Sequence, residues 1–185
     1  SSVVLANEDI NIVSEIGKII STNYYSTEYS DDLTGVEVCA ATKNIYSMLI
    51  GASEGLSSKS QSNEIKNKYY LNTAASLAYK AVSEMKNLTK KLNGKPETAY
   101  GLAGLGDLYV SSAGGRNSKM GYYLGQGHLF KDAKEKFMKD VTVEGADLAF
   151  AIGSKILKEF KKEEFPLLLS VVDSICSNKK LEINW

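Results

Sequence analysis

The sequence predicts an all-α domain of several helices that follows a short α/β segment. The chain has only two prolines in 185 residues, and strand-like runs are confined to the first 32 residues. From Thr34 onward, the sequence shows little of the alternation of apolar and polar residues that is typical of strands, which favours helices. Because a chain of this length buries roughly 70% of its unfolded surface, we expect it to fold without a disulfide or a structural metal.

The first 32 residues contain a strand, a helix and a second strand. Residues 3–6 form a short apolar run, and residues 24–29 alternate weakly, as an edge strand does. Between them we expect Asn7 to cap a helix whose apolar face is formed by Ile10, Val13, Ile16 and Ile20. Since three elements are too few to stand alone, we interpret residues 1–32 as the C-terminal edge of a larger nucleotide-binding domain. Residues 33–185 are then a separate helical domain.

The helical domain is predicted to surround one central helix. Residues 36–55 are apolar almost all round, which is typical of a buried helix. Residues 66–92 predict one long helix or a pair, ended by Asn93 and Gly94, which tolerate the left-handed conformation. Pro96 and Pro166 each suit the first turn of a helix. Further helices are predicted over residues 116–125, 131–138, 144–162 and 167–176.

Charge and cysteine content exclude several classes of protein. The formal net charge is zero and the lysines are scattered, which argues against nucleic-acid binding. No apolar run approaches 18 residues, so we expect no membrane insertion. Cys39 and Cys176 lie in apolar helical contexts, so we expect both to be small core residues. With one histidine, they give no metal-ligand spacing. We therefore predict no metal site, two reduced cysteines and a cytoplasmic location.

Arg116 is the one arginine of the chain, and it stands in a loop that suits an anion. Two glycines, Gly114 and Gly115, precede it and permit both a positive φ and close backbone approach to a ligand. Arginine offers a planar fork of donors for phosphate or carboxylate, and the helix that opens near Asn117 adds free N–H groups. The alternative is a structural ion-pair partner or a solvated residue.

Lys43 is a candidate proton-transfer residue. On a helix it shares a face with small apolar residues such as Cys39 and Ala40, so we expect its amine to be partly desolvated. Asn44 follows it and could fix a polar ligand. Asp107 lies in an apolar setting that calls for a cation, and Lys43 is an attractive partner. The alternatives are a snorkelling lysine and an aspartate that caps a helix or turn.

Two other features favour ordinary structural roles when taken alone. The glycine-rich residues 101–106 have the order GxxGxG and no preceding strand, so they do not predict a dinucleotide-binding loop. Glycines at this spacing more often let another backbone come close. Glu144 falls in the first turn of a predicted helix, where the helix dipole favours a carboxylate.

Together these segments resemble the C-terminal half of NAD(P)-dependent glycerol-3-phosphate dehydrogenase. The resemblance rests on an ordered set of short motifs at residues 34–37, 43–44, 72–75, 84–85, 101–108, 115–117, 121, 124–127 and 143–145. It implies a helical domain of the 6-phosphogluconate-dehydrogenase-like type, with the active site facing an N-terminal Rossmann domain. The implied reaction interconverts dihydroxyacetone phosphate and sn-glycerol 3-phosphate, which supplies glycerophospholipid synthesis.

The resemblance also implies roles for individual residues. Lys43 matches the catalytic lysine that accepts a proton during alcohol oxidation. Asp107 matches the residue that orients this lysine, and both Asn44 and Asp107 match residues that hold the substrate.

The implied phosphate site has one departure from the family pattern. Gly115, Arg116 and Asn117 match the stretch that binds the substrate phosphate. Gly115 stands where bacterial members commonly have serine, so the lost hydroxyl contact would fall to Ser111 or Ser112.

The implied cofactor is NAD or NADP. Arg116 also approaches the cofactor in the family, and Glu144 and Thr142 match cofactor-contacting positions. No GxGxxG motif precedes the helical part, so we expect the Rossmann domain of the same protein to be a partner and the chain alone to be inactive. The family also implies a homodimer.

Two alternatives remain open at this point. One is another member of the wider 3-hydroxyacid dehydrogenase group, although that group tends to separate the lysine and asparagine that are adjacent here at Lys43 and Asn44. The other is a non-catalytic helical dimerisation module, for which the loop around Arg116 would have no use.

Overall fold

A short βαβ unit opens the structure, a computed structural model that describes residues 1–59 and 63–183, with only the backbone described for residues 63–69. Strand β1 (Ser2–Ala6) and strand β2 (Ser26–Ser30) pair in parallel, with Val4 opposite Glu28. Helix α1 (Ile10–Ile20) makes the crossover between them. Gly17 lets α1 lie directly on the ring of Tyr29, because a Cβ at this position would overlap that ring. The predicted α/β segment is confirmed.

The prediction that Asn7 caps α1 is wrong. The cap is Asp9, whose carboxylate accepts a hydrogen bond from the backbone N–H of Asn11 at 2.9 Å. Asn7 instead accepts from the N–H of Asp9 and so shapes the turn that precedes the helix. Both residue types cap helices well, and the choice between them depends on where the parallel strand ends.

The remaining described residues form a helical domain around α2 (Leu33–Ser57), as predicted. Helix α2 contacts most of the other helices and carries the most deeply buried side chains, among them Ile45, Tyr46 and Leu49. The other helices are α3 (Asn63–Lys91), α4 (Asp107–Ser112), α5 (Arg116–Gly125), α6 (Phe130–Phe137), α7 (Glu144–Glu159) and α8 (Pro166–Cys176).

The connection between α3 and α4 differs from the predicted helix. Asn93 takes the left-handed conformation that ends α3, with φ of 66°. Pro96 then begins a 3₁₀ turn (Pro96–Tyr100) and not an α-helix, and a π-helical turn (Leu102–Gly106) follows it. A Cβ at Gly104 would overlap the carbonyl oxygen of Ala99, so this glycine allows the two turns to fold on each other. The close backbone approach that was predicted here occurs within the chain.

Asp32 fixes the start of α2 against this connection. One carboxylate oxygen accepts from the N–H of Gly35 at 2.9 Å, which caps the helix. The other accepts from the N–H of Lys95 at 3.0 Å and from the hydroxyl of Thr98. Since Asp32 is buried, these bonds compensate for the desolvation of its carboxylate.

Helices α2 and α5 touch through their backbones. Gly51 and Gly55 of α2 face the carbonyl oxygens of Ser118 and Tyr122, while Gly121 faces that of Met48. A fourth glycine, at position 125, faces Ala52 in the same way. A Cβ at any of the four would overlap the opposite carbonyl oxygen, so this small-residue spacing sets the closest helix contact of the domain.

Glu84 of α3 supplies the N-terminal cap of α8 from a distance in sequence. Its carboxylate accepts from the N–H groups of Leu167 and Leu168 at 2.7 and 2.9 Å and from the hydroxyl of Tyr46 at 3.1 Å. Burial raises the pKa of Glu84 above its ordinary value of 4.5, and these hydrogen bonds offset the shift only in part. The first turn of α8 therefore depends on a buried carboxylate.

Both cysteines are free, but their environments differ. Cys39 is buried, and desolvation raises the pKa of its thiol. The expectation that Cys176 is also a core residue is wrong, because it lies at the exposed C-terminal end of α8.

We expect Gly121→Ala to lower the free energy of unfolding by about 1–3 kcal/mol, because α2 and α5 must separate to admit the methyl group. Alanine is intrinsically the better helix former, so any loss must come from this contact. Gly101→Ala is the control, since its Cβ would meet its nearest neighbour at an ordinary 3.5 Å. Urea unfolding measures both variants, and a stabilised Gly121→Ala protein would contradict the packing argument.

As the pH rises above 4.5, we expect the free energy of unfolding of the wild-type protein to fall relative to that of Glu84→Gln. A raised pKa means that the folded state holds the proton more tightly than the unfolded state, so ionisation at higher pH opposes folding. Urea unfolding of both proteins between pH 4 and pH 7 measures the difference. Glu163→Gln, which removes an exposed carboxylate, is the control. A difference that grows in favour of wild type with rising pH would refute the assignment.

Candidate functional site

Lys43 and Asp107 form an ion pair that joins α2 to α4. The Lys43 amine donates to the Asp107 carboxylate, and the two side chains are 19% and 39% exposed. Lys43 lies in the middle of α2, while Asp107 is the first residue of α4, directly after the π-helical turn. The predicted contact is therefore present, and the Asp107 side chain makes no capping bond to its own helix.

A cavity of about 430 Å³ adjoins this pair. It lies between β1, α2 and the π-helical turn, and its wall includes Val36, Ala40 and Asp107. Val36 and Ala40 are the residues seven and three positions before Lys43, so they stand on the same helix face. The small side chains on this face of α2 thus leave space beside the ion pair.

Arg116 is the first residue of α5, and the loop before it has the predicted glycine conformation at one position. Gly114 has φ of 111°, in the region that favours glycine, whereas Gly115 is extended with φ of −65°. The Arg116 guanidinium is 58% exposed and donates through Nη2 to the Glu144 carboxylate. Among the described residues its other N–H groups have no partner. Arg116 therefore makes one ion pair and keeps its other N–H groups available to donate to a ligand.

The two serines before this loop differ in how they are used. The Ser112 hydroxyl donates to the carbonyl of Leu108 at 2.7 Å. The half-buried Ser111 has no side-chain partner in the part of the chain that is described, so its hydroxyl is the more available of the two. A Cβ at Gly115 would lie 2.7 Å from the Ser111 carbonyl oxygen. The glycine at this position therefore permits Ser111 to come close.

A hydrogen bond between two asparagines connects these two regions. Asn117 Nδ2 donates to Asn44 Oδ1 at 3.1 Å and to Glu144 Oε2 at 3.1 Å. Asn44 follows Lys43, and Asn117 follows Arg116, so each cation is one residue away from the bond. Six of the predicted site residues thus form two ion pairs and the hydrogen bond that connects them.

Thr142 is not part of this arrangement. It is exposed and lines a separate shallow depression with Lys139 and Asp147. Glu144 begins α7, as predicted, and its carboxylate is shared by Arg116 and Asn117.

One participant could not be found from the sequence. The backbone N–H of Gly145 donates to Asn117 Oδ1 at 2.9 Å and so holds the buried end of the network. A backbone amide carries no residue-type signal, although the short Val143–Gly145 stretch was one of the motifs noted above. A Cβ at Gly145 would lie 2.8 Å from the Asn44 carbonyl oxygen, which is why glycine is required here.

Comparisons with known proteins show the family to which the chain belongs. The family model described as NAD-dependent glycerol-3-phosphate dehydrogenase C-terminus matches residues 32–183. The NADP(+)-dependent glycerol-3-phosphate dehydrogenase of Archaeoglobus fulgidus is 33% identical over 166 residues, which are 87% of this chain and 48% of the relative. The glycerol-3-phosphate dehydrogenase [NAD(P)+] of Clostridium acetobutylicum is 31% identical over 180 residues, or 96% of this chain and 50% of the relative.

Solved structures give the same result. The crystal structure of glycerol-3-phosphate dehydrogenase from Coxiella burnetii matches with a TM-score of 0.77 and 27% identity, over 97% of this chain and 51% of that one. The Saccharomyces cerevisiae enzyme matches with a TM-score of 0.75 at 20% identity, over 91% and 46% of the two chains, which supports the fold. The chain spans about half the length of the curated relatives that it matches. By its sequence and its fold, the chain belongs to the NAD-dependent glycerol-3-phosphate dehydrogenase family and corresponds to the C-terminal part of its members.

Proposed function

We propose that the protein that carries this chain interconverts dihydroxyacetone phosphate and sn-glycerol 3-phosphate with NAD or NADP. The observation that carries this proposal is the Asn44–Asn117 hydrogen bond, which joins the residue after Lys43 to the residue after Arg116. The family match favours this function over another 3-hydroxyacid dehydrogenase and over a non-catalytic dimerisation module.

Lys43 has the surroundings of a proton-transfer group. Its amine is mostly enclosed, its partner Asp107 keeps it in place, and a cavity opens beside the pair. In the reductive direction, Nζ would donate a proton to the substrate oxygen as hydride reaches the adjacent carbon. In the oxidative direction, Nζ would accept the hydroxyl proton. Asp107 would hold the amine in line for both steps.

Arg116 would bind the phosphate end of the substrate. Its open N–H groups form the fork that suits two phosphate oxygens, and Glu144 restrains the side chain through Nη2. Ser111 would add a hydroxyl, and the N-terminus of the ten-residue helix α5 would add backbone N–H groups. Asn44 would contact the polar end that faces Lys43.

A nicotinamide cofactor would supply or accept the hydride when bound. Arg116 and Glu144 are the residues that would contact this cofactor. The Arg116 guanidinium is exposed, and Glu144 lies beside this guanidinium at the N-terminus of α7. These two groups fit the donor and acceptor pattern of a phosphorylated ribose. Thr142 remains a third expected contact, by family position alone.

The division at residue 32 agrees with the exposed apolar surface of the βαβ unit. Helix α1 leaves Ile12, Ile16 and Ile19 exposed, with Ile19 at 82%. We propose that the N-terminal Rossmann domain of the same protein covers this surface and that residues 33–185 form the substrate-binding domain. The homodimer and the cytoplasmic location stay predictions. No helix within residues 1–59 and 63–183 is long and apolar enough to cross a membrane.

We expect Arg116→Lys to weaken the binding of sn-glycerol 3-phosphate by about tenfold, because one ammonium replaces a bidentate fork. Calorimetry on the complete protein measures the affinity. Lys119→Ala, which removes an exposed charge from the same helix, is the control and should bind normally. An Arg116→Lys protein with wild-type affinity would count against the fork.

We expect Lys43→Ala to lower kcat by about 10²–10⁴-fold, which is the usual contribution of a positioned acid–base group. Cofactor affinity should stay within error, because the lysine faces the substrate end. Steady-state kinetics and cofactor titration of the complete enzyme test this. Lys90→Ala, at an exposed position on α3, is the matched control. Undiminished turnover by Lys43→Ala would remove the assigned role.

A further inference from the structure

The orientation of the Asn117 side chain is determined by two groups of fixed polarity. The Gly145 backbone N–H can only donate, and it lies 2.9 Å from Asn117 Oδ1. The Glu144 carboxylate accepts, and it lies 3.1 Å from Asn117 Nδ2. An amide side chain is oriented by its partners in this way. Because both partners agree, Asn117 must turn its NH₂ group toward α2.

This orientation in turn determines how Asn44 is placed. The second hydrogen of Asn117 Nδ2 points to Asn44 Oδ1 at 3.1 Å, so the Asn44 oxygen faces the protein. Asn117 is only 5% exposed, and both polar atoms of its side chain are then engaged within the protein. Its side chain serves as a connector and has no donor left for a ligand.

The Asn44 NH₂ group consequently faces outward. It has no hydrogen-bond partner among the residues that the structure describes. No buried side-chain nitrogen or oxygen within the same residues lacks a partner, so this NH₂ group reaches solvent. Asn44 directly follows Lys43 in α2.

We propose that Gly145, Asn117 and Asn44 form a polarity relay that makes the outward group of Asn44 a hydrogen-bond donor. Asn117 is then a positioning residue, and the site selects ligands that place an acceptor oxygen against the Asn44 amide. A ligand with an ammonium group against the Asn44 amide would set one donor against another. The substrate named in this inference rests on the proposed function, whereas the relay itself does not.

The close packing of α7 against α2 holds Gly145 and Asn44 in fixed positions relative to each other. Gly145 approaches so closely that a Cβ would lie 2.8 Å from the Asn44 carbonyl oxygen and 2.5 Å from Met48 Cε. The three connected residues lie on three different helices. A rotation of the Asn44 amide would set its NH₂ against the Asn117 NH₂, which leaves both donors unpaired.

Nuclear magnetic resonance of the nitrogen-15-labelled complete protein tests the relay without any ligand. We expect the side-chain amide hydrogens of Asn117 to exchange slowly with solvent and those of Asn44 to exchange fast. Protection of the Asn44 amide hydrogens together with fast exchange at Asn117 would overturn the relay.

Asn44→Asp tests the selectivity. An aspartate keeps an oxygen toward Asn117 and replaces the outward donor by an acceptor. The probes are sn-glycerol 3-phosphate and 2-amino-1,3-propanediol monophosphate, its ammonium analogue, compared as ligands by calorimetry. We expect the wild-type preference for the first over the second to fall by about 100-fold in Asn44→Asp. Asn87→Asp, which adds the same charge at an exposed position, should leave it unchanged.

The outcomes separate the two hypotheses. An unchanged preference in a folded Asn44→Asp protein, as judged by its thermal unfolding, would overturn the selectivity. Slow exchange at Asn117 and fast exchange at Asn44 in a wild-type protein that binds neither probe would support the relay and contradict the proposed substrate.

Discussion

The backbone contact between α2 and α5 is the constraint on which the site depends. The Met48 carbonyl oxygen and Gly121 meet one helical turn after Asn44 and Asn117 respectively. Helices with larger side chains at this contact would lie farther apart, typically 8–10 Å between axes. The asparagine side chains are short, so a 3.1 Å bond between them requires this close approach. Packing by glycine therefore determines whether the two ends of the proposed site can act on one ligand.

Buried polar groups link the remaining elements to this helix pair. Asp32 connects the start of α2 to the turn after α3, and Glu84 connects α3 to the start of α8. Asn117 does the same for α2, α5 and α7. Each of these side chains is buried. Loss of a hydrogen-bond partner would leave a desolvated polar group unpaired, which costs about 1–3 kcal/mol of folding free energy. The helices are thus held in specific positions as well as packed.

In the proposed site, directional hydrogen bonds would recognise a ligand more than net charge would, because both cations are paired with carboxylates. Lys43 is paired with Asp107 and Arg116 with Glu144, so each cation has its own carboxylate. The chain as a whole also has a formal net charge of zero. In the proposed site, a weak overall field would leave selectivity to the hydrogen-bond donors that have no partner among the described residues: the guanidinium N–H groups, the Ser111 hydroxyl and the Asn44 amide. Such bonds discriminate strongly because a mismatched ligand leaves them unpaired.

Local signals in the sequence were enough to predict the helices and several features of the site. The almost entirely apolar residues 36–55 predicted α2, and Asn93 and Pro166 marked helix ends, because these effects act within a few residues. The Lys43–Asp107 contact was also predicted, because a carboxylate in an apolar setting needs a cation. The positive φ at Gly114 was predicted because glycine permits it.

The tertiary structure decided what depends on residues that are distant in the chain. The sequence could not distinguish Asn7 from Asp9 as the cap of α1, nor show that Glu84 caps a helix 83 residues later. The sequence predicted Asn117 as a ligand residue by family resemblance alone. The hydrogen bonds of its side chain run to Asn44 and Glu144, which are 73 and 27 residues away. Sequence determines which groups a chain can offer, but only folding brings together the partners that orient them.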